Sequence, residues 1–585
     1  MVDKIIGYHS AKSLGDWRKE MIFLADDQDN NLHLNDAESI AASAVQANPL
    51  FHTEKIYLDA YPLVSGAGGA RYPAVNEAIV NSVFKGGLIF NYSGHGNYLR
   101  LTEEAVFSST EVNRFNNPNK LPLFITASCD FAPHDDPTKQ SLGEKLLFGN
   151  YNGGIALLTT TRLVFASSNR IMNENYIQTA FTRNANGAYL SLGEAVQIAK
   201  NKTMQNNGDV FNARKFSLLG DPAMQLAFPK GNIKINSINN KPITPTDSLQ
   251  SLGKYTIQGE IQTASGTINS NFNGTVYPII YDKNQTIKTL GNTPGSPVTN
   301  VGIQKSILFS GKATVVNGIF NFSFVLPKDI QFQPGNGIIS LYAENGITDA
   351  AGSTSIKISG SNSIGTSDSK GPEIQLFIND TLFKNGGLSN ERPILVARLS
   401  DSSGINSTGN SIGHDIIAVI DGDERNSLVL NDYFSYNTNS YQSGQLSFQL
   451  PTLKPGKHSI RLKAWDVLNN SNEQSIELTI AQQEKLIIGE LRNFPNPFST
   501  STQFAFEHNQ PNTNLLVDLY IYNNAGQRVK SIKRLVNTEG TRNVQISWAG
   551  DSDSGQKLVK GIYFYRIIVV AGAQQTQSAG QLLLY

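Results

Sequence analysis

A change of hydrophobic period near Pro229 constrains this chain more than any other feature. Before it, the apolar runs MIFLAD, GGLIFNY, LPLFITAS and GGIALLTT, near residues 21–26, 86–92, 121–128 and 153–160, show no clean two-residue alternation. A strand with one solvated face alternates. A run that does not is buried on both faces, as in a parallel sheet covered by helices. Segments of helical period lie between these runs. Two open on capping boxes, Ser141-Leu-Gly-Glu144 and Ser191-Leu-Gly-Glu194, in which serine oxygen and glutamate carboxylate satisfy the orphan N–H groups of a first turn. After Leu226 and Pro229 the helical pattern stops, and short alternating strands separated by Asn, Gly, Ser and Pro run to the end. The predicted fold class is an α/β domain followed by three all-β immunoglobulin-like sandwich domains.

Two polar breaks set the boundaries. SGSNSIGTSDSKGP, Ser359 to Pro372, reads as a Gly-rich linker, and QQEKLIIGELRNFPNPF, Gln482 to Phe498, as a junction ending in rigid proline turns. The expected domains are therefore 1–230 (α/β) and β-sandwiches at 231–362, 370–481 and 493–585. A length of 585 residues excludes a single compact domain. Lys+Arg and Asp+Glu are both 48, so no global field is available to hold nucleic acid, and nucleic-acid binding is not expected. Cys129 is the single cysteine, which excludes an internal disulfide. No apolar run approaches the ~20 residues of a membrane helix. The start, MVDKIIGYHSAKSLGDW, lacks the apolar stretch of a signal peptide. The expectation is a cytosolic chain, or a fragment whose targeting segment lay upstream.

Chemistry concentrates at two strand ends. Ser93-Gly94-His95-Gly96 follows one buried run, and Thr126-Ala127-Ser128-Cys129-Asp130 follows the next. Functional groups of open α/β sheets gather at the carboxyl ends of strands, so neighbouring ends bring His95 and Cys129 together. A thiol beside an imidazole ionises readily and becomes the nucleophile of acyl transfer. Glycines flanking His95 allow close backbone approach and leave the Gly96 N–H to face an oxyanion. The opposing reading is a buried, inert Cys129 and a His95 that merely serves a turn. Asp26 and Asp27 end the first strand, where a carboxylate can accept the Nδ1 proton of His95; Asp27 is the first choice, against a solvated loop start. Asp27-Gln-Asp29-Asn-Asn31 has the opening of a calcium loop but lacks its glycine and distal glutamate. Asp551-Ser-Asp553-Ser-Gly555 reads as a turn sooner than a calcium site. His134-Asp135-Asp136-Pro137 either lines a cleft or caps a loop. His9, His33, His52, His414, His458 and His508 show no metal spacing and read as surface or turn residues. No metal site and no cofactor are assigned, with calcium left open.

At these residues the chain resembles a known family. IFLADDQDNN, KIYLDAYP, RYPAVNEAI, GGLIFNYSGHG, LPLFITASCDF, the DDP tripeptide, GGIALLTTTRLVFASSN and FSLLGDPAMQL are similar to the catalytic part of the gingipain-like cysteine peptidases, and most of all to the sortases of the type IX secretion system. The resemblance implies a caspase-like α/β fold, Cys129 as nucleophile, His95 as general base and acid, Asp27 as the acid that orients it, and N–H groups of Gly96 and Cys129 as oxyanion hole. It places a substrate-selecting acid near Asp36, with Asp135 and Asp136 as further substrate-binding candidates. It also implies that an N-terminal subdomain is missing. The last module, with Asn493-Phe-Pro-Asn-Pro-Phe498 and Gly561-Ile-Tyr-Phe-Tyr565, is similar to the C-terminal domains that address proteins to this secretion route. Its end, GQLLLY, lacks a basic final strand, so it is expected to be retained for docking.

The implied function is a cell-surface, outer-membrane-associated peptidase and sortase. It would cleave C-terminal signal domains from type IX secretion cargo and pass the acyl group to an amine of surface lipopolysaccharide or to water. Expected partners are that cargo, an outer-membrane barrel and the lipopolysaccharide acceptor. Two alternatives stand beside it: a secreted endopeptidase that only hydrolyses, and a non-catalytic adhesin or scaffold.

Overall fold

The computed structural model describes residues 1–585 except 67–68, 150–151, 186, 206–208, 245–246, 264, 329, 331–332, 362–367, 409–412, 481–485, 490, 511–512, 539–542 and 573. Parts of both predicted linkers, 362–367, 481–485 and 490, lie outside the described residues.

Six strands build the N-terminal sheet: β1 (Glu20–Ala25), β2 (His52–Tyr57), β3 (Ile89–Ser93), β4 (Leu123–Ala127), β5 (Ala156–Thr160) and β6 (Phe216–Leu219). Their spatial order is β6-β5-β4-β3-β1-β2. Every pairing is parallel except the outermost, where β6 runs antiparallel to β5. The absence of alternation in the sequence has a direct cause: successive side chains enter two different cores. Ile22 and Leu24 of β1, Phe90 and Tyr92 of β3 and Phe124 of β4 pack with Val75, Ile79 and Leu146, from the helices Pro73–Lys85 and Leu142–Phe148. Met21 and Phe23, Ile89, and Leu123 and Ile125 pack on the other face with Ile40, Tyr176 and Ala199, from Leu32–Ala47, Ala166–Ala180 and Leu192–Gln205. Both expected capping boxes form. Ser141 Oγ accepts from Glu144 N–H at 3.2 Å, Ser191 Oγ from Glu194 N–H at 3.3 Å, and each glutamate accepts from its serine N–H at 2.8 Å. A third, Ser108 with Glu111, opens the short helix Ser109–Arg114 in the crossover between β3 and β4.

In the all-β remainder, ten strands among the described residues of 231–362 are joined in one hydrogen-bonded sheet. Its first strand, Gly231–Ile238, pairs in parallel with Asp349–Ser361 through Gly231 and Asn232 opposite Ala350 and Ala351, so the sheet closes on itself. The backbones approach closely at Gly231, where a Cβ would sit 3.1 Å from Ala350 Cβ. From Glu373 to Ile480 the strands form a four-stranded and a five-stranded sheet, and from Arg492 to Leu584 a three-stranded and a four-stranded one. The last pair buries Phe504, Ile546, Leu519 and Ile567 between its layers. Asp551–Gly555 forms the turn expected of it, with Gly555 N–H donating to Ser552 O at 3.0 Å.

The β region is also built into the α/β part. The hairpin Gln285–Lys288/Asn300–Ile303 sends Val301 into the helical core beside β1, with Ile287 and Ile303 packed against it. At its tip the N–H groups of Gly291 and Asn292 donate to the two oxygens of buried Asp59, at 2.9 and 2.8 Å. Arg18 meets Asp349 at 2.7 Å with side-chain exposures of 6% and 0%, a buried ion pair between the two regions.

Candidate active site

The sheet register juxtaposes the two candidate residues. Ser93, the last residue of β3, is opposite Ala127, the last of β4, and His95 and Cys129 each follow two residues later. The backbone around the histidine is fixed. Asp26 Oδ2 accepts from His95 N–H at 2.9 Å, and His95 O accepts from Tyr92 OH at 2.6 Å and Thr102 N–H at 3.0 Å. A side chain at Gly96 would be crowded, since a Cβ there would lie 3.0 Å from Ser128 Oγ. The imidazole itself is 45% exposed.

Neither reactive side chain is hydrogen-bonded to the other. His95 Nε2–H donates to Asp29 Oδ2 at 2.9 Å, whereas Cys129 Sγ–H points at Val164 O, 3.6 Å away. The expected direct facing of imidazole and thiol is thus replaced, at rest, by separate partners. Apo catalytic hydrogen bonds are commonly loose and tighten only with substrate. Cys129 is partly exposed, not sealed in the core, and its backbone N–H donates to no described residue. The next residue, Asp130, holds φ at 47°, a left-handed turn at the rim of the site.

Asp27 makes no hydrogen bond to His95 here: its Oδ2 accepts from the Tyr72 hydroxyl at 2.5 Å, its carbonyl accepts from Ser296 Oγ in the hairpin loop, and its Oδ1 is buried without a partner among the described residues. The carboxylate on the ring belongs to Asp29, two residues later, on a loop where Asp29, Asn30 and Asn31 all have positive φ. That loop is clamped from the β region: Asn30 N–H donates to Gly295 O at 2.8 Å and Asn31 Nδ2 to Pro297 O at 2.5 Å. Long-range contacts of this kind leave no mark in local sequence.

Carboxylates crowd beneath the site. Oxygens of Asp26, Asp27 and Glu104 lie within 4.8 Å of one another, all three residues buried. Burial, then the neighbouring charges of Asp27 and Glu104, push the Asp26 carboxyl up to about 7 against the opposing His95 N–H bond. Burial likewise raises Glu104. Asp36 is buried on the helix Leu32–Ala47, 3.4 Å from Arg170 Nε, and burial raises it to about 6. Asp135 is held by both terminal nitrogens of Arg162 at 2.8 Å, and Asp136 accepts from Thr138 N–H at 3.1 Å. All three substrate-binding candidates therefore already have partners within the chain.

His33 is a further correction: it is a buried helical residue, not a surface one. Its ring packs edge-on to His95 at 4.9 Å between centroids, and burial, with the nearby His95 charge, lowers it to about 4. His52 is also enclosed, bonded to Glu20 at 2.7 Å and stacked on Tyr281. His508 is 2% exposed. The i, i+4 spacing of Asp29 and His33 was the available signal, but only the tertiary fold adds His95.

Residues 1–227 match the model of peptidase family C25. Over these residues the α/β part resembles the peptidase domains of family C25. Among solved structures, the chain is similar to dimeric latent PorU from Porphyromonas gingivalis, with 28% identity, a TM-score of 0.29, and coverage of 74% of this chain and 41% of that one. It is similar to the Arg-specific cysteine proteinase gingipain R (RgpB) at 13% identity and a TM-score of 0.33, covering 61% of this chain and 71% of that one. The chain thus spans less than half the length of the PorU chain. No curated protein matches it. The family match agrees with the cysteine-peptidase class expected from the motifs around His95 and Cys129, and it ends within a few residues of the change of period at Pro229.

Proposed function

We propose that this protein is a cell-surface cysteine peptidase acting as a sortase on type IX secretion cargo. The observation that carries the reading is the register: on adjacent parallel strands, an imidazole and a partly exposed thiol stand at equivalent positions past the paired residues Ser93 and Ala127. In the proposed reaction the His95 ring turns from Asp29 and takes the proton of Cys129. The thiolate attacks the peptide carbonyl carbon, and the oxyanion is met by the N–H groups of Cys129 and Gly96. The imidazolium then protonates the leaving amine, which carries off the C-terminal signal domain. The thioester passes its acyl group to an amine, for which lipopolysaccharide is the proposed donor, or to water. The chain's partners in this reading are the cargo, an outer-membrane barrel and the amine-bearing glycolipid.

Incubation with a cargo protein bearing its signal domain, with and without a small amine, followed by mass spectrometry, tests the reading. An amide conjugate absent in Cys129→Ala is expected. Hydrolysis alone identifies an endopeptidase. No product, with a thiol inert to iodoacetamide, leaves the scaffold reading.

A further inference from the structure

We propose that Asp29, His33 and His95 form a binding site for a divalent transition-metal ion, with Zn²⁺ the best fit, and that occupation withdraws His95 from Cys129. One ligand atom from each residue falls within a common 4.8 Å span. Asp29 Oδ2 lies 2.9 Å from His95 Nε2 and 3.4 Å from His33 Nε2. Four-coordinate zinc, with bonds of about 2.0–2.1 Å to nitrogen and oxygen, needs ligand atoms roughly 3.4 Å apart along each tetrahedral edge. Two edges are therefore nearly in place, and a small swing of the exposed His95 ring closes the third.

A second observation points to a ligand. His33 is 5% exposed, and its buried Nε2 makes no hydrogen bond of good geometry, its nearest polar neighbour being the Asp29 carboxylate at 3.4 Å, beside the His95 ring. An unpaired ring nitrogen inside a protein loses its solvation without return. A metal ion supplies that missing partner. Two imidazoles and one carboxylate are a borderline donor set that suits zinc better than calcium or magnesium, which take mostly oxygen. Three protein ligands leave a fourth position for solvent.

The proton accounting is simple. His95 Nε2–H now donates to Asp29, which leaves the free lone pair on Nδ1; on binding, the proton moves from Nε2 to Nδ1 and the Nε2 lone pair goes to the metal. With one nitrogen protonated and the other on the metal, the ring can no longer receive the Cys129 proton. Zinc on this triad is thus a brake on the nucleophile. The binding site stands on geometry alone, whereas its inhibitory consequence rests on the peptidase reading given above.

The experiment uses the full chain, first stripped by chelator. Calorimetric titration with Zn²⁺, and the visible absorption of four-coordinate Co²⁺, should show one ion per chain in the wild type. His33→Gln should bind at least about tenfold more weakly and lose the Co²⁺ band. Thermal melts check that this variant is folded, and Asp29→Asn gives the same measurement through a different ligand. Cys129→Ser should bind as wild type; loss of binding there would move the site to the thiol and overturn the assignment. Equal affinity in wild type and both ligand variants, or no binding, overturns it too. In a peptide-cleavage assay, inhibition should require at least about tenfold more Zn²⁺ in His33→Gln. Absence of cleavage in all forms would count against the peptidase reading and leave the calorimetric result to decide the site.

Discussion

The Nε2 of His95 is hydrogen-bonded to Asp29 Oδ2 at 2.9 Å, although the strand register places His95 beside Cys129. The backbone of the site is thus assembled, with Asp26, Tyr92 and Thr102 all bonded to the main chain of His95, while the one side chain that must move is exposed. Catalysis by this arrangement requires an imidazole that exchanges one partner for another.

An ordinary thiol is less than about 1% ionised at pH 6, so activation by His95 is measurable without substrate. Iodoacetamide at pH 6 should alkylate Cys129 at least about tenfold faster in the chelator-treated wild type than in His95→Ala, as followed by peptide mass spectrometry. Equal rates in the two proteins would show that no activated thiolate exists.

Asp26 carries a signature in stability. Its folded-state carboxyl is raised to about 7, above the ~3.9 of an unfolded chain, so its contribution is fully present below pH 4. Between pH 4 and 7 the unfolded chain releases this proton and the folded chain keeps it, so stability falls. Asp26→Asn has no proton to lose, although its single oxygen can serve only one of the two N–H groups, of His95 and Asp27, that the carboxylate accepts from. Melting temperatures should therefore decline less from pH 4 to pH 8 in the variant than in the wild type.

Asp59 anchors the hairpin tip by accepting from both Gly291 and Asn292. Asp59→Ala leaves these donors without their acceptor at a cost of about 2 kcal/mol. Limited proteolysis should cut near residues 290–298 sooner than in the wild type, and the loop carrying Asp29, which the same tip clamps, should exchange its amide hydrogens faster.

Arg18 and Asp349 tie the two regions together. Asp349 has 0% side-chain exposure and also accepts from Tyr342 OH at 2.9 Å. Arg18→Met removes its counter-charge and should cost ~3–5 kcal/mol in urea unfolding, because a buried carboxylate is left uncompensated. The double variant Arg18→Met/Asp349→Leu should recover much of that loss.

The sequence by itself, while leaving the edge strands His52–Tyr57 and Phe216–Leu219 unread, determined four of the six strands before Pro229, two helix starts and the placement of His95 and Cys129 after neighbouring strand ends. These rest on local chemistry: hydrophobic period, capping pairs and glycines at strand ends are written within a few residues. It gave no means to choose Asp29 over Asp27 as the partner of His95, because that choice depends on a loop clamped by Gly295 and Pro297 some 270 residues away, a separation read directly off their numbers. The closure of the sheet at 231–362 and the burial of His33 were hidden for the same reason. Which surfaces meet, and therefore which titratable groups lose water and which find partners, is a property of the packed chain, and it was the packing that decided how this site rests.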